Sequence, residues 1–198
     1  MRIEICGNIA SGKTTLANLF RKNMNVLLEE YEANPFWAAF YSNPQKFQFE
    51  TEIAVLLQHY HLIKRDYEDD EVNVCDYSFL LDYSYALSDL EVRELEIFGD
   101  IFKKIINELG SPNILIYLKC DLDIILNRIK KRGREEEESI DIDFLKLIDE
   151  NIKKSLNSSY YENKLIEIDS GKIDFAHETD TKSQIFQRIL NEVESVKQ

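Results

Sequence analysis

Residues Gly7-Asn8-Ile9-Ala10-Ser11-Gly12-Lys13-Thr14 form a complete GxxxxGK[ST] phosphate loop. This motif needs a strand running into it and a helix leaving it, and both neighbours comply. Arg2-Ile3-Glu4-Ile5-Cys6 reads as a short strand and Thr15-Leu16-Ala17-Asn18-Leu19-Phe20-Arg21 as a helix. In such a turn the backbone N–H groups from Gly7 to Thr15 surround a phosphate at the helix N-terminus. Lys13 adds a point charge at the β- and γ-phosphates, and the Thr14 hydroxyl is placed to reach Mg²⁺. The pattern therefore implies a nucleoside-triphosphate site, with ATP and Mg²⁺ as the expected occupants. It does not name the second substrate.

The rest of the chain repeats the strand-then-helix alternation. Strands are predicted at 2–6, 25–29, 72–76, 113–119 and 164–168, and helices at about 13–23, 35–42, 45–67, 79–88, 91–109, 121–132, 141–158 and 181–196. The expectation is an α/β fold: a three-layer phosphate-loop domain with a five-stranded parallel sheet flanked by helices. Right-handed crossovers put every strand's C-terminal end on one edge, where ligands bind. Gly7–Thr14, Glu29–Asn34, Asp76–Ser78 and Asp121 should then face one cleft. With 198 residues and no Pro/Gly/Ser linker, a single domain over 1–198 is expected.

Composition narrows the partners. The formal net charge of −13 opposes binding to nucleic-acid polymers and anionic membranes. Small nucleotides would need a local cluster of cations. No apolar run is long enough to span a bilayer, and no basic, hydrophobic leader is present, so a cytoplasmic protein is expected. Cys6, Cys75 and Cys120 lack metal-ligand spacing and read as buried free thiols. His59, His61 and His177 read as ordinary helix or loop residues, with no ligand or triad arrangement.

The cation cluster is Arg128-Ile129-Lys130-Lys131-Arg132-Gly133-Arg134. Arg128 and Arg132 share one helix face, Gly133 can end the helix, and Arg134 extends past it. Over about 128–140 this reads as an Arg-rich lid whose three guanidiniums converge on the transferred phosphate. The plainer alternative is a basic helix end complementing its own dipole.

These segments together resemble the deoxyribonucleoside kinase family, in particular its bacterial deoxyadenosine/deoxyguanosine kinase branch. The likeness is carried by Gly7 to Leu16, by Glu29-Glu30-Tyr31-Glu32-Ala33-Asn34-Pro35-Phe36 with Phe40-Tyr41-Ser42-Asn43-Pro44, by Asp76-Tyr77-Ser78 with Asp82, by Arg128 to Arg134 with Glu137, and by the loop Asp169 to Phe175. The resemblance implies phosphoryl transfer from ATP to the 5′-hydroxyl of a deoxynucleoside, in a homodimer. It implies a carboxylate general base at the end of the second strand. Counting back from Asn34-Pro35 puts that group at Glu29, with Glu30 one residue out of register, and only one of two strand neighbours can face the site. By the same resemblance Tyr41 and Glu137 grip the sugar 3′-hydroxyl, Asp76 helps hold Mg²⁺ beside Thr14, Arg132 and Arg134 meet the phosphates, and Asp174 and Phe175 lie against adenine. Each has a plainer reading: Tyr41 in an aromatic cluster, Glu137 as a solvated charge, Asp76 as a helix cap.

Two departures from the family pattern bear on function. Tyr77 stands where the family has an arginine that pairs with the catalytic carboxylate; tyrosine donates one hydrogen bond but brings no charge. Glu52 stands where a base-reading glutamine is usual. An ionised glutamate only accepts, which suits the N1–H and N–H₂ edge of guanine, and Asp82 would add another acceptor. A purine deoxynucleoside is therefore expected, guanine ahead of adenine. Two other readings remain open: a different small-molecule or nucleoside-monophosphate kinase, and a nucleotide-binding module that has lost turnover.

Overall fold

The computed structural model describes residues 1–134, 136–137, 140–157 and 164–197. Five strands, β1 (Arg2–Cys6), β2 (Asn25–Leu27), β3 (Asn73–Cys75), β4 (Ile114–Lys119) and β5 (Lys164–Asp169), form one sheet in the order β2-β3-β1-β4-β5. Every pairing is parallel. Eight helices lie among the described residues: α1 (Lys13–Leu19), α2 (Trp37–Ser42), α3 (Pro44–Asp66), α4 (Phe79–Asp89), α5 (Val92–Leu109), α6 (Leu122–Arg132), α7 (Ile142–Leu156) and α8 (Thr179–Lys197).

The layering follows from side-chain alternation along the strands. Ile3 and Ile5 of β1 and Ile114, Ile116 and Leu118 of β4 point to one face, where Leu16, Ala17 and Phe20 from α1 and its C-cap and Ile185, Ile189 and Val193 of α8 cover them. Cys6, Leu115 and Tyr117 point to the other, against Leu80 and Leu81 of α4 and Ile148 and Ile152 of α7. Farther along that face, α3 and α5 pack Leu56, Leu62, Phe98 and Phe102 against Leu27 and Cys75. A sheet buried on both faces needs apolar residues at nearly every central position, and β1 meets this apart from the paired Arg2 and Glu4. Glu4 is fully buried; one oxygen accepts from Arg2 Nε at 2.9 Å and the other from the Phe79 amide at 3.1 Å. That carboxylate ties β1 to the N-terminus of α4, where negative charge is favoured, and so fixes the Asp76-Tyr77-Ser78 turn.

The sequence-based boundaries fall within a few residues of those observed, and the shifts have causes. Strand β2 stops at Leu27 rather than 29 because the Glu29 amide leaves the ladder and donates to Asp76 Oδ1 at 2.6 Å. Helix α1 ends at Leu19, not 23, in a run of turns closed by Phe20, whose amide bonds back to Ala17 O. The predicted helix over 35–42 begins instead as a 3₁₀ turn over Tyr31–Ala33 followed by α2. Ser158, the expected end of α7, lies outside the described residues, as do Glu135 and Glu138 of the acidic run.

Candidate active site

The phosphate loop is shaped by two glycines and a strained alanine. At Gly7 an added Cβ would sit 2.6 Å from Ser11 Oγ and 2.9 Å from the Leu118 carbonyl, so no side chain fits. Gly12 has φ +104°, a region costly for any residue with a Cβ. Ala10 adopts φ 55°, a small store of strain of the kind that gathers at ligand sites. Asn8 braces the loop: its Oδ1 accepts from the Ile9 amide at 2.8 Å and its Nδ2 donates to Leu145 O of α7 at 2.8 Å. Lys13 Nζ donates to the carbonyls of Gly7 (2.9 Å) and Asn8 (3.2 Å). Burial lowers the Lys13 pKa, while the nearby Glu29 carboxylate opposes that fall.

Above the loop opens a cavity of about 760 Å³. Its walls include Ile9, Ala10, Gly12, Lys13, Thr14 and Thr15 from the phosphate loop, Glu29 after β2, Tyr41 of α2, Glu52 of α3, and Asp76 and Asp82 around the start of α4. Arg128, Arg132, Arg134 and Glu137 close one side, and Asp174 and Phe175 another. Most sequence-predicted site residues therefore meet in one place, at the C-terminal edge of the sheet. Gly7, Asn8, Ser11, Glu30, Glu32 and Ala33, expected to face it, do not line it, and nor do Asn34, Ser78 and Asp121. Asn34 turns toward α3 and donates to Thr51 O at 3.4 Å, Ser78 caps α4 through the Leu81 amide, and Asp121 begins α6 beside the Gly171 turn.

The two candidate bases part company here. Glu29 faces inward: His59, Lys13 and Arg134 together outweigh the effect of burial and hold its carboxyl below the ordinary range. Glu30 faces outward and pairs with the exposed Arg65 at 2.9 Å. Asp76 accepts from the Glu29 amide; burial raises its pKa, and the Thr14 hydroxyl and that amide limit the rise. Thr14 and Asp76 thus offer hard oxygen donors beside Lys13. No cluster of three or more His, Cys, Asp or Glu side chains that could hold a metal exists among the described residues. One or two protein oxygens completed by phosphate oxygens and water are what Mg²⁺ takes, and this pair fits that pattern.

The arginines do not act as one set. Arg128 is engaged by backbone carbonyls: it donates to Ser170 O at 2.6 Å and to Ser11 O at 3.2 Å, stapling the phosphate loop to the segment after β5. The expectation of three converging guanidiniums is thereby corrected. Only Arg132 and Arg134 converge, both on Glu137 Oε1, at 3.4 and 3.0 Å. Arg134 also lies 4.0 Å above the Tyr31 ring, a cation–π contact. Gly133, at φ 63°, ends α6 and lets the chain turn so that Arg134 can reach inward. The other Glu137 oxygen is buried without a partner among the described residues. Tyr41 lies near enough that this carboxylate adds to the upward push burial gives its phenol. Phe175 is buried in the core and packs against Gly12, whereas Asp174 caps its own turn through the amides of Ala176 and His177.

The histidine reading needs the largest correction. His59 is not an ordinary helix residue. It is 2% exposed; its Nδ1 lies 2.9 and 3.1 Å from the two Asp82 oxygens, and its Nε2 lies 3.6 Å from Glu29 Oε1. Its ring stacks on Tyr77 at 4.1 Å and 9°. Spacing gave a usable signal, since His59 follows Glu52 by seven residues, two turns along the same face of α3.

Glu52 also differs from expectation. It is buried, and desolvation with Asp89 close by raises its pKa well above the ordinary range, which favours the protonated carboxyl; the paired Asp89 is pushed up to about 7. Glu52 lines the cavity as expected, but this shift disfavours the ionised form inferred from sequence.

A family model for deoxynucleoside kinase matches residues 3–195. This chain belongs to the deoxynucleoside kinase family. It is an enzyme that phosphorylates the 5′-hydroxyl of a deoxynucleoside at the expense of ATP. The kinase is 28% identical to deoxyguanosine kinase of Bacillus subtilis over 186 residues, covering 87% of this chain and 88% of that protein. It is 26% identical to deoxyguanosine kinase of Lactobacillus johnsonii over 204 residues, covering 95% and 90%. Deoxyadenosine kinase from M. mycoides, solved with bound dCTP, superposes with a TM-score of 0.79 at 22% identity over 97% of this chain and all of that one, which shows the shared fold. No helix among the described residues is long and apolar enough to cross a membrane.

Proposed function

We propose that this kinase takes purine deoxynucleosides, deoxyguanosine first, and that Glu29 is its general base. The observation that carries the reading is the placing of Glu29 on the cavity wall beside Lys13, with Glu30 turned out to Arg65. A carboxylate held ionised and facing the phosphate end can receive the proton of a 5′-hydroxyl as that oxygen attacks the γ-phosphorus. Lys13 and the loop amides hold the β- and γ-phosphates, and Arg132 and Arg134 meet the charge that spreads over the transferred group. Thr14 and Asp76 would hold Mg²⁺, which neutralises phosphate charge when bound. Tyr41 and Glu137 face the sugar, and the loop through Asp174 and Phe175 lies against the donor's adenine.

Base preference rests on Glu52. With its proton engaged by Asp89, the carboxyl presents its remaining oxygen as an acceptor, the need of guanine N1–H. The Glu29 carboxylate, with Asp82 nearby, would repel a monophosphate acceptor, which supports a nucleoside over a nucleotide as the second substrate. We also place the protein in the cytoplasm as one domain and a homodimer, apart from nucleic-acid polymers and membranes. Turnover of radiolabelled ATP with the four deoxynucleosides tests the reading. Labelled 5′-monophosphate should form fastest from deoxyguanosine; preference for thymidine refutes the base assignment, and absence of any labelled monophosphate refutes the enzyme.

A further inference from the structure

We propose that His59 is a positioning residue for phosphoryl transfer, a two-ended clamp with one ring nitrogen anchored on Asp82 and the other directed at the Glu29 carboxylate. This rests on Glu29 being the group that receives the proton.

The geometry demands a donor at both ends of the ring. Both Asp82 oxygens lie within 3.1 Å of Nδ1, so that nitrogen carries a hydrogen. Nε2 is buried, has no hydrogen-bond partner among the described residues, and faces Glu29 Oε1 at 3.6 Å. A neutral ring with Nδ1–H would aim a lone pair at a carboxylate. A protonated ring donates to both sides, and supports of reacting groups tighten when substrate binds. Tyr77, 1% exposed and stacked flat on the imidazole, fixes the ring plane while leaving both nitrogens in line with their acids.

Charges from each packed element agree. Asp82 and Glu29 favour the protonated ring, from α4 and from the segment after β2; the Glu52 carboxyl is one member of the same α3 face. Facing Glu29 are also Lys13 of α1 and Arg134 after α6, with the Asp76 carboxyl opposing them; the phenols of Tyr41 and Tyr85, their pKa values raised, stay neutral. These acids raise the His59 pKa to about 10 against its burial. Among the cations near Glu29, His59 is held by Asp82 and the stacked Tyr77 ring with its second nitrogen directed at Glu29, whereas Arg134 is committed to Glu137 and the Tyr31 ring. Lys13 is engaged by loop carbonyls. The clamp leaves the second Glu29 oxygen for the 5′-hydroxyl and keeps the carboxylate from swinging toward Lys13.

Two measurements test this. Histidine-selective NMR of the whole protein, with the His59 signal identified by its loss in His59→Gln, should show a ring charged at both nitrogens at pH 7.5; a neutral ring overturns the clamp. In kinetics, His59→Gln should lower kcat by about tenfold to a hundredfold with KM for ATP and deoxyguanosine changed less than about threefold. In a Glu29→Gln background the same change should cost less than about threefold, because its target is gone. Equal losses in both backgrounds, or an altered base preference with kcat intact, overturn it. A neutral ring together with a slow Glu29→Gln enzyme would sink the clamp alone, whereas an unimpaired Glu29→Gln enzyme would sink the base assignment with it. Should His59→Gln fail to fold, the His59 signal is the one that remains when the exposed His61 and His177 are replaced by glutamine, and its charge decides.

Discussion

Exchanging Glu29 for glutamine removes one oxygen's charge and almost no volume. The backbone N–H that Glu29 donates to Asp76 at 2.6 Å survives, so the turn after β2 should hold its place. What is lost is an ionised acceptor on the wall of a cavity shared with Lys13. A positioned general base contributes about 10²–10⁴ in rate, or roughly 3–5 kcal/mol of barrier at about 1.4 kcal/mol per tenfold. Steady-state kinetics with ATP and deoxyguanosine should therefore show kcat down at least about a hundredfold. KM should move little, because the amide still fills the site and the sugar is gripped elsewhere. Glu30→Gln is the internal control: its side chain faces solvent and an exposed Arg65, and exposed pairs are weak, so turnover should stay within about twofold. A larger fall for Glu30→Gln than for Glu29→Gln would show the register to be wrong by one residue. Equal small effects would show that neither carboxylate takes the proton.

Other perturbations probe the scaffold and the sugar grip. Arg128→Ala removes charged hydrogen bonds to two segments, worth about 2–3 kcal/mol together, so calorimetry should record a melting point lower by about 5 °C or more. Glu137→Gln keeps the size of a side chain that holds both Arg132 and Arg134, and should raise KM for deoxynucleoside more than it lowers kcat. Stability should fall as pH rises through the range in which His59 and Asp89 titrate. His59 is raised to about 10 and Asp89 to about 7, so the folded state binds more protons than the unfolded chain between each group's ordinary pKa and these values. The His59 contribution is complete below the ordinary histidine range and fades as pH climbs toward 10; the Asp89 term declines from about pH 4 to 7. Urea titrations should show Asp89→Asn flattening the lower part of the profile and His59→Gln the upper part.

The sheet was legible because its strands are short apolar runs between helices, and because a phosphate loop dictates what precedes and follows it. Glu29 could be located by counting from Asn34-Pro35, and Gly133 by its place after a basic helix. What sequence hid is the pairing between elements. His59 and Glu52 share one face of α3, and Asp82 and Asp89, also seven apart, share one face of α4. Periodicity shows each face but not that His59 meets Asp82 and Glu52 meets Asp89, and those meetings set the charge of all four groups. Arg128 shows the same limit: its spacing from Arg132 predicts a common helix face, but only the folded chain brings Ser11 and Ser170 to its guanidinium. Tyr77 itself brings no cation, while Asp82 and Glu29 raise the pKa of the His59 ring stacked upon it to about 10.

A crystal structure with deoxyguanosine and a non-hydrolysable ATP analogue bears most directly on the whole account. The 5′-oxygen should lie within about 3.2 Å of a Glu29 oxygen, in line with the γ-phosphorus above Lys13, with the purine edge at Glu52. A 5′-oxygen held instead by Asp76 or by Glu30, or a nucleoside lying with its base toward the phosphate loop, would contradict it.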